Sequence, residues 1–451
     1  MELHEYRDLF PSVKNHVYLN HAACSPLPIP TIQATQTLLE EQHLYGCRYS
    51  KGWGDLVSRI RGTAARFIGA SEDEVALTRN TTHGLLLVAN GLPWRSGDNM
   101  ILPGCEFTAN VYPWLTLRPR GVEIRFAPMR GNRILPEDIE AQVDARTRLV
   151  AISAVQFGSG FRCDLPTLSA ICRSRGVLLC VDGIQALGQV PFQVGNPPVD
   201  FLSAGGPKWL MAPLGTGIFY CRKALIEHLA PVFMGWRSTT DPESYYKYDM
   251  PWHPTARRFE EATLNIPGLL GLDASMNLLM EAGLARIRAH LLRLTDALAE
   301  GLRVKGYTVT SAMDSESERS GIVCFKHPTH TAAEIHEMLT EASVIVSLRG
   351  EVIRVSPHFY NTLEDVGALL AALPQRLPRM TRIGGGLRED SRYSRMNQGR
   401  MSASCSRSSS HFAMSPKVTT CRGRNGQGCD PRVEISNVPM TRASAMMSSL
   451  S

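Results

Sequence analysis

Two side chains with complementary chemistry, Asp182 and Lys208, each follow a short apolar run of the sequence. Residues 177–181 precede Asp182, and residues 199–202 lead into a glycine-rich turn that carries Lys208. Apolar runs bounded by Gly and Pro predict buried strands, so both side chains are expected at or just beyond strand ends. Open α/β sheets bind their ligands at that edge. The alternative is that the two residues form an ordinary surface pair.

A lysine and a carboxylate held close together suit the chemistry of pyridoxal phosphate (PLP). This cofactor needs a lysine amine for a Schiff base and an acidic partner that keeps its pyridine nitrogen protonated. The amine must lose its proton before it can attack, and burial beside other cations helps that loss. The pair therefore predicts a PLP site, with Lys208 and Asp182 in these two roles.

Three stretches around this pair resemble one enzyme family. They read VDGIQALG, DFLSAGGPKWL and APLGTGIFY, and they are similar to segments of the class V aminotransferases. These are fold-type-I PLP enzymes that include cysteine desulfurases, kynureninase and isopenicillin N epimerase. The resemblance implies Lys208 as the Schiff-base lysine, Asp182 as the partner of the pyridine nitrogen and Gln185 as a contact to the ring 3-oxygen. It also implies an α/β fold with a mostly parallel central sheet and a smaller α+β C-terminal domain.

A predicted strand at residues 75–78 is followed by the polar turn RNTTHG and an apolar helix. A helix N-terminus after such a turn is suited to an anion, because backbone N–H groups and the helix dipole both favour negative charge. By resemblance, Thr81 and Thr82 hold the PLP phosphate. The alternative is a plain helix N-cap, for which Thr is also favoured.

Two further residues are assigned to the cofactor by the resemblance alone. Phe107, in GCEFTANVYPW, matches the aromatic residue that stacks on the pyridine ring, a position where the desulfurases have His. The alternative is that Phe107 is an aromatic residue of the core. Thr263, in RRFEEATLN, matches a residue that reaches the phosphate of the partner subunit's cofactor, which implies a homodimer. Ala262 and Leu264 replace the glycine and proline usual there.

The substrate side is also assigned by resemblance. Arg354 matches the arginine that binds the substrate α-carboxylate, a contact for which a guanidinium is suited by its two parallel donors. Arg349 is a second candidate, and a surface salt bridge is the alternative for Arg354. His21, Ala22 and Ala23 are expected to approach the substrate, although a structural turn built on the nearby prolines explains His21 equally well.

The sequence departs from the desulfurases at two places. Gly205 and Pro207 stand where desulfurases carry Ser and His, and Ser203 is a candidate to compensate. Only four residues separate Arg349 from Arg354, and none is a cysteine. The desulfurases place a reactive cysteine on a longer loop here, so desulfuration through an enzyme persulfide is not expected.

Composition limits the remaining functions. Of the formal charge of +6, the segment from Thr381 onward carries +7, so residues 1–380 are nearly neutral and show no nucleic-acid surface. The eleven cysteines form no CxxC pair and no cluster at zinc spacing, so we expect no metal site and free thiols in a reducing cytoplasm. Neither a secretory signal nor a membrane span is evident.

Alternating strand and helix patterns predict right-handed crossovers within a parallel sheet. We expect an N-terminal segment 1–20 that packs on the small domain, a PLP-binding domain 21–265, a small domain 266–380 and a disordered basic tail 381–451. The tail is either a basic arm that touches nucleic acid or an anionic surface, or an extension without a role.

The resulting hypothesis is a cytoplasmic, homodimeric PLP-dependent transferase that acts on an amino acid or related amine. An aminotransferase is preferred. The alternatives are a PLP-dependent epimerase or lyase, including a C–S lyase, and a non-catalytic PLP-fold protein that binds a partner through its tail.

Overall fold

The computed structural model describes residues 2–374, which belong to one compact unit. The strands are β1 Val17–Tyr18, β2 Val75–Thr78, β3 Asn99–Pro103, β4 Glu123–Ala127, β5 Thr147–Ser153, β6 Leu178–Asp182, β7 Phe201–Gly205, β8 Gly217–Cys221, β9 Thr308–Val309, β10 Val323–Lys326, β11 Val344–Ile345, β12 Ser347–Arg349 and β13 Val352–Val355. The α-helices are α1 Ile29–Tyr45, α2 Trp53–Ile68, α3 Thr81–Gly91, α4 Tyr112–Leu115, α5 Pro136–Glu140, α6 Leu165–Arg175, α7 Ile266–Ala282, α8 Leu284–Val304, α9 Ala332–Glu341 and α10 Leu363–Ala372.

Seven strands form the central sheet in the order β2-β8-β7-β6-β5-β3-β4. Only β8 runs antiparallel to its two neighbours, so the predicted mostly parallel sheet is confirmed. Every residue of β2, β3, β7 and β8 is buried. Such continuous apolar strands arise where helices cover both faces of a sheet, and they fix the strand ends within a rigid layer.

A second sheet lies towards the C-terminus of the described residues. Its four antiparallel strands have the order β12-β13-β10-β9, and they share a separate apolar core with α8, α9 and α10. Helix α7, just before them, packs against α1 and α2. The domain boundary at residue 265 stays a prediction, and the predicted tail lies outside the described residues.

The N-terminal segment is tied to this C-terminal part by backbone pairing. Strand β1 pairs in parallel with β11, and Asn20 forms an isolated bridge with Ser356. The residues that follow, 22–25, then pass the carboxyl ends of the central strands, where the Ser25 N–H donates to the Pro207 carbonyl at 2.8 Å. The segment therefore bridges the second sheet and the central sheet.

Within residues 2–374, no helix combines the length and the apolar character needed to cross a membrane. The same residues contain no group of three or more His, Cys, Asp or Glu side chains placed to hold a metal ion.

Candidate active site

A cavity of about 280 Å³ opens at the carboxyl ends of the central strands, where the sequence predicts the ligand. Its lining comes from several distant segments of the chain: Ala22, Ala23, Asn80, Thr81, Thr82, Phe107, Ala109, Phe157, Asp182, Ile184, Gly205, Pro207, Lys208, Arg349 and Arg354. Asp182 is the last residue of β6 and Gly205 the last of β7, so the sheet itself holds the floor of the cavity.

Asp182 is a buried carboxylate at the centre of this floor. Its side chain is 1% exposed, and its Oδ1 accepts a hydrogen bond from the Ile184 N–H at 2.9 Å. Burial raises the pKa of Asp182; the Glu106 charge raises it further, and the Ile184 N–H and Lys208 oppose both. A buried carboxylate needs a cationic or N–H partner, and a protonated pyridine nitrogen supplies one.

Lys208 faces the same cavity from the turn after β7. Its Nζ lies 5.4 Å from the centroid of the Phe107 ring. Burial lowers the pKa of the Lys208 amine, Arg354 and Arg349 lower it further, and Asp182 opposes them. The backbone of the lysine is held by Ser25, whose Oγ donates to the Lys208 carbonyl at 2.6 Å. A fixed amine with a lowered pKa is suited to nucleophilic attack and to proton transfer.

The N-terminus of α3 forms an anion site at one end of the cavity. Asn80 caps this helix by accepting from the His83 N–H at 2.9 Å, and Thr81 and Thr82 open its first turn. The Gly205 N–H donates to the Thr81 Oγ1 at 2.9 Å, which joins the helix start to the end of β7. Backbone N–H groups and hydroxyls therefore converge with the helix dipole where a phosphate is expected.

Ser203 supports this anion site from beneath. Its buried Oγ donates to the Thr81 carbonyl at 2.8 Å, and Ser203 does not line the cavity. A Cβ at Gly84 would lie 2.3 Å from that Oγ, so glycine is required for the helix to approach β7. Ser203 therefore positions Thr81 and does not itself replace the absent serine at Gly205.

Arg354 lies in β13 with its guanidinium turned into the cavity. It is 1% exposed, its Nη1 donates to the Phe157 carbonyl at 2.8 Å, and its Nε has no partner. No carboxylate of the described residues forms an ion pair with it. Burial lowers the pKa of Arg354 to about 10, and the nearby Arg349 lowers it as well. An unpaired buried guanidinium is a ready site for a carboxylate.

The connection between β12 and β13 is a tight hairpin. Arg349 pairs with Val352, so only Gly350 and Glu351 form the turn, and Gly350 adopts a φ of 56°. This confirms the short connection expected from the sequence. Arg349 is exposed at the cavity rim, and no cysteine lies on the turn.

The structure does not bring His21 to the cavity, and its expected contact with the substrate stays a prediction. His21 is fully buried outside the cavity, with Nδ1 2.8 Å from the Ser356 carbonyl oxygen and Nε2 2.8 Å from the Tyr360 hydroxyl. Burial holds the pKa of His21 well below its usual value. The bridge between Asn20 and Ser356 turns the histidine into the core, and the next residues, Ala22 and Ala23, line the cavity in its place.

The side-chain amide of Gln185 forms two hydrogen bonds within the protein. Its Nε2 donates to the Ala22 carbonyl at 2.9 Å, and its Oε1 accepts from the Trp209 Nε1 at 2.8 Å. A contact to the ring 3-oxygen would require the amide to exchange one of these partners, and it stays a prediction. Gln185 instead fastens the N-terminal segment to the end of β6.

Thr263 lines a different cavity of about 330 Å³, together with Arg79, His83 and Glu261. Its predicted contact with a cofactor phosphate involves a second subunit and is therefore still a prediction.

Sequence reasoning missed Glu106, the residue before Phe107. Glu106 is buried, and it accepts from the Ser153 N–H and from the Gln156 Nε2, each at 2.8 Å. An acidic residue three positions past the end of a buried strand was the available signal. Gln156, which lies just past β5, directs its side-chain amide to this carboxylate.

The cavity residues fit PLP when they are considered together. Asp182 suits the pyridine nitrogen, Lys208 the aldehyde carbon, the start of α3 the phosphate and Phe107 one face of the ring. Phe107 is half-exposed and meets Phe157 edge to face, with ring centroids 5.1 Å apart.

Comparison with known proteins agrees with PLP as the cofactor. Residues 17–369 match the family model of class-V aminotransferases. A probable cysteine desulfurase of Methanothermobacter thermautotrophicus is 32% identical, over 82% of this chain and 96% of the relative. An uncharacterized aminotransferase of Bacillus subtilis is 27% identical, over 80% and 95%. A solved cystine C–S lyase in complex with its product, cysteine persulfide, has a TM-score of 0.75 at 24% identity, over 80% and 98%, which shows a shared fold.

Proposed function

We propose a specific reaction for this chain, which belongs to the class V aminotransferase family of PLP-dependent enzymes. It is a carbon–sulfur lyase that acts on a sulfur-containing α-amino acid. The observation that carries the proposal is the buried Arg354, which has no acidic partner and faces the same cavity as Lys208. This pairing suits a substrate with a free α-carboxylate and an amino group at the same carbon.

Two facts bear on how the sulfur leaves the substrate. One relative is named a probable cysteine desulfurase, and the fold is shared with a cystine C–S lyase. The two-residue turn between β12 and β13 offers no cysteine to take up sulfur. β-Elimination is consistent with both facts. The sulfur leaves Cβ as part of the departing group, so no cysteine of the enzyme has to take it up.

Each cavity residue has a role in this reaction. Arg354 binds the α-carboxylate, the start of α3 holds the cofactor phosphate, and Phe107 covers the ring face. Asp182 keeps the proton on the pyridine nitrogen. When bound, PLP supplies the sink for the electron pair left at Cα. Lys208 Nζ takes the Cα proton, and as the Cβ–S bond breaks it delivers a proton to the departing sulfur.

Aminotransfer is a second candidate, favoured by the Bacillus subtilis relative that is named an aminotransferase. It uses the same binding contacts and the same proton transfer by Lys208, and it requires a keto-acid acceptor. Two-base epimerisation is not favoured. Asp182, Lys208, Arg349 and Arg354 are the titratable residues that line the described cavity, and Phe107 cannot act as a second base.

The test is a product assay on the PLP-loaded protein with L-cystine, with L-cysteine, and with L-alanine plus a keto acid. We expect pyruvate, ammonia and a persulfide from L-cystine without any keto acid. Lys208→Ala should abolish the products. A new amino acid that appears only when a keto acid is present would overturn the lyase proposal in favour of aminotransfer.

Cys24 provides the control for an enzyme-bound persulfide. It is exposed, and its neighbours contact the cavity region: Ala23 lines it, and Ser25 holds the Lys208 backbone. Cys24→Ser should keep the rate of pyruvate formation. A rate lost in Cys24→Ser, with the cofactor still bound, would mean that sulfur passes through this thiol.

A further inference from the structure

We propose that Glu106 is a second carboxylate of the cofactor site and acts there as a positioning residue. Its negative charge acts on the cofactor through Asp182, and its hydrogen bonds hold the loop that carries Phe107 at the ring face. The proposal rests on the assignment of Asp182 to the pyridine nitrogen. It does not depend on whether the bound amino acid undergoes elimination or aminotransfer.

Strand register places Asp182 beside the residue that binds the Glu106 carboxylate. Ser153, the last residue of β5, lies directly opposite Asp182 in the parallel pairing of β5 with β6. The Ser153 N–H donates to the Glu106 Oε1 at 2.8 Å, and the Ser153 hydroxyl donates to the Glu106 Oε2. Neighbouring strands are about 4.8 Å apart, so Glu106 is bound to the residue next to Asp182.

Hydrogen-bond donors stabilise the ionised form of Glu106 against the cost of its burial. Its protein partners, Ser153 and Gln156, present N–H and O–H donors to its two oxygens. Burial is the largest effect and raises the pKa of Glu106 above its usual value, and these donors limit that rise. The titratable groups that interact with its charge are Asp182, Cys105 and Cys163. No cation of the described residues forms a salt bridge with Glu106, so a positively charged cofactor ring above Asp182 is its natural counter-charge.

The same hydrogen bonds fix the backbone that carries Phe107. Glu106 connects the loop after β3 to the end of β5, and the next residue places its ring on the cavity. The Phe107 carbonyl accepts from the Asn110 N–H at 2.8 Å, which completes the turn. Loss of Glu106 would free this loop from the sheet.

The test is the pH titration of the visible absorbance band of the PLP-loaded protein, with Glu106→Gln as the main variant. A negative charge favours the protonated cofactor, so its removal should lower the titration midpoint by about one pH unit. Glu106→Asp keeps the charge and should keep the midpoint. Asp98→Asn is the matched control, because Asp98 is a buried, hydrogen-bonded carboxylate at the opposite end of β3.

A midpoint that is unchanged in a folded, PLP-loaded Glu106→Gln would overturn the proposal. So would an equal shift in Asp98→Asn. A purely structural role predicts that Glu106→Gln and Glu106→Asp both weaken PLP binding, with no shift of the midpoint in either. If Glu106→Gln does not fold, Ser153→Ala removes one donor to the carboxylate and should lower the midpoint by a smaller amount; no shift there would also refute the idea.

Discussion

The Arg354 Nη1 donates to the Phe157 carbonyl oxygen at 2.8 Å, while its Nε has no partner. With the longer bond from Nη2 to the Ser347 Oγ at 3.5 Å, this contact aims a buried cation at the cavity without neutralising it. The guanidinium is therefore oriented before a substrate arrives, and its charge is left for the substrate carboxylate.

Arg354→Lys should raise KM for the amino acid by roughly 10- to 100-fold, because a hydrogen bond to a charged group is worth ~1.5–3 kcal/mol and Lys lacks the paired donors. Steady-state kinetics would measure the change, with PLP affinity as the control for intact folding. Arg349→Lys, at the exposed rim, should raise KM less. Equal effects of the two variants would contradict the assignment of Arg354.

The amine of Lys208 should react with free PLP at a lower pH than an ordinary lysine. Its pKa is lowered to about 8, mainly by burial. The rate of PLP uptake by the cofactor-free protein should therefore rise as pH increases through about 8. Arg354→Gln removes a neighbouring cation and should move this midpoint upward. A midpoint near that of free lysine, or a downward shift in the variant, would refute this account.

Thr81 and Thr82 should respond differently to loss of their hydroxyls. Thr82→Val should weaken PLP binding and leave the melting temperature unchanged. Thr81→Val should weaken PLP binding and also cost about 1 kcal/mol of unfolding free energy, because Thr81 Oγ1 accepts from the Gly205 N–H. PLP titration and denaturant unfolding of the cofactor-free protein separate the two effects. A Thr81→Val protein of wild-type stability would remove the structural role of that hydroxyl.

Buried histidines should make the protein sensitive to mild acid. Burial lowers the pKa of His21 well below its usual value and that of His358 to about 4. An unfolded histidine binds a proton near pH 6.5 and these folded ones do not, so stability is lost as pH falls from about 6.5, by up to ~1.4 kcal/mol per pH unit for each group.

Urea unfolding between pH 7.5 and pH 5 measures this loss. His358→Gln should make stability less dependent on pH, while His16→Gln, an exposed position, should not. The prediction fails if both variants keep the wild-type slope.

Residues whose role depends on local chain order were predictable from the sequence. Asp182 and Lys208 follow buried strands, and Thr81 follows a strand and begins a helix, so the sheet itself brings them to one edge. Arg354 was assigned through the family resemblance, and the structure adds that its Nε has no hydrogen-bond partner.

Roles that depend on distant pairing were not predictable. His21 turns into the core because the neighbouring Asn20 pairs with Ser356, which is far away in sequence. Gln185 is drawn to Ala22 and Trp209 by the same N-terminal segment. The place of Glu106 in the site depends on the register of β5 with β6, which sets Ser153 opposite Asp182. Periodicity in one sequence carries no information on such contacts.

The path of the N-terminal segment has a consequence during synthesis on the ribosome. Residues 17–21 find their partners at residues 344–360, more than 300 positions later. At ~5–20 residues per second, the first strand and the alanines that line the cavity must wait roughly 15–70 s for those partners to be made. The central sheet has time to form first, so we expect newly made chains to contain the lysine and carboxylate edge before the substrate side is closed over it.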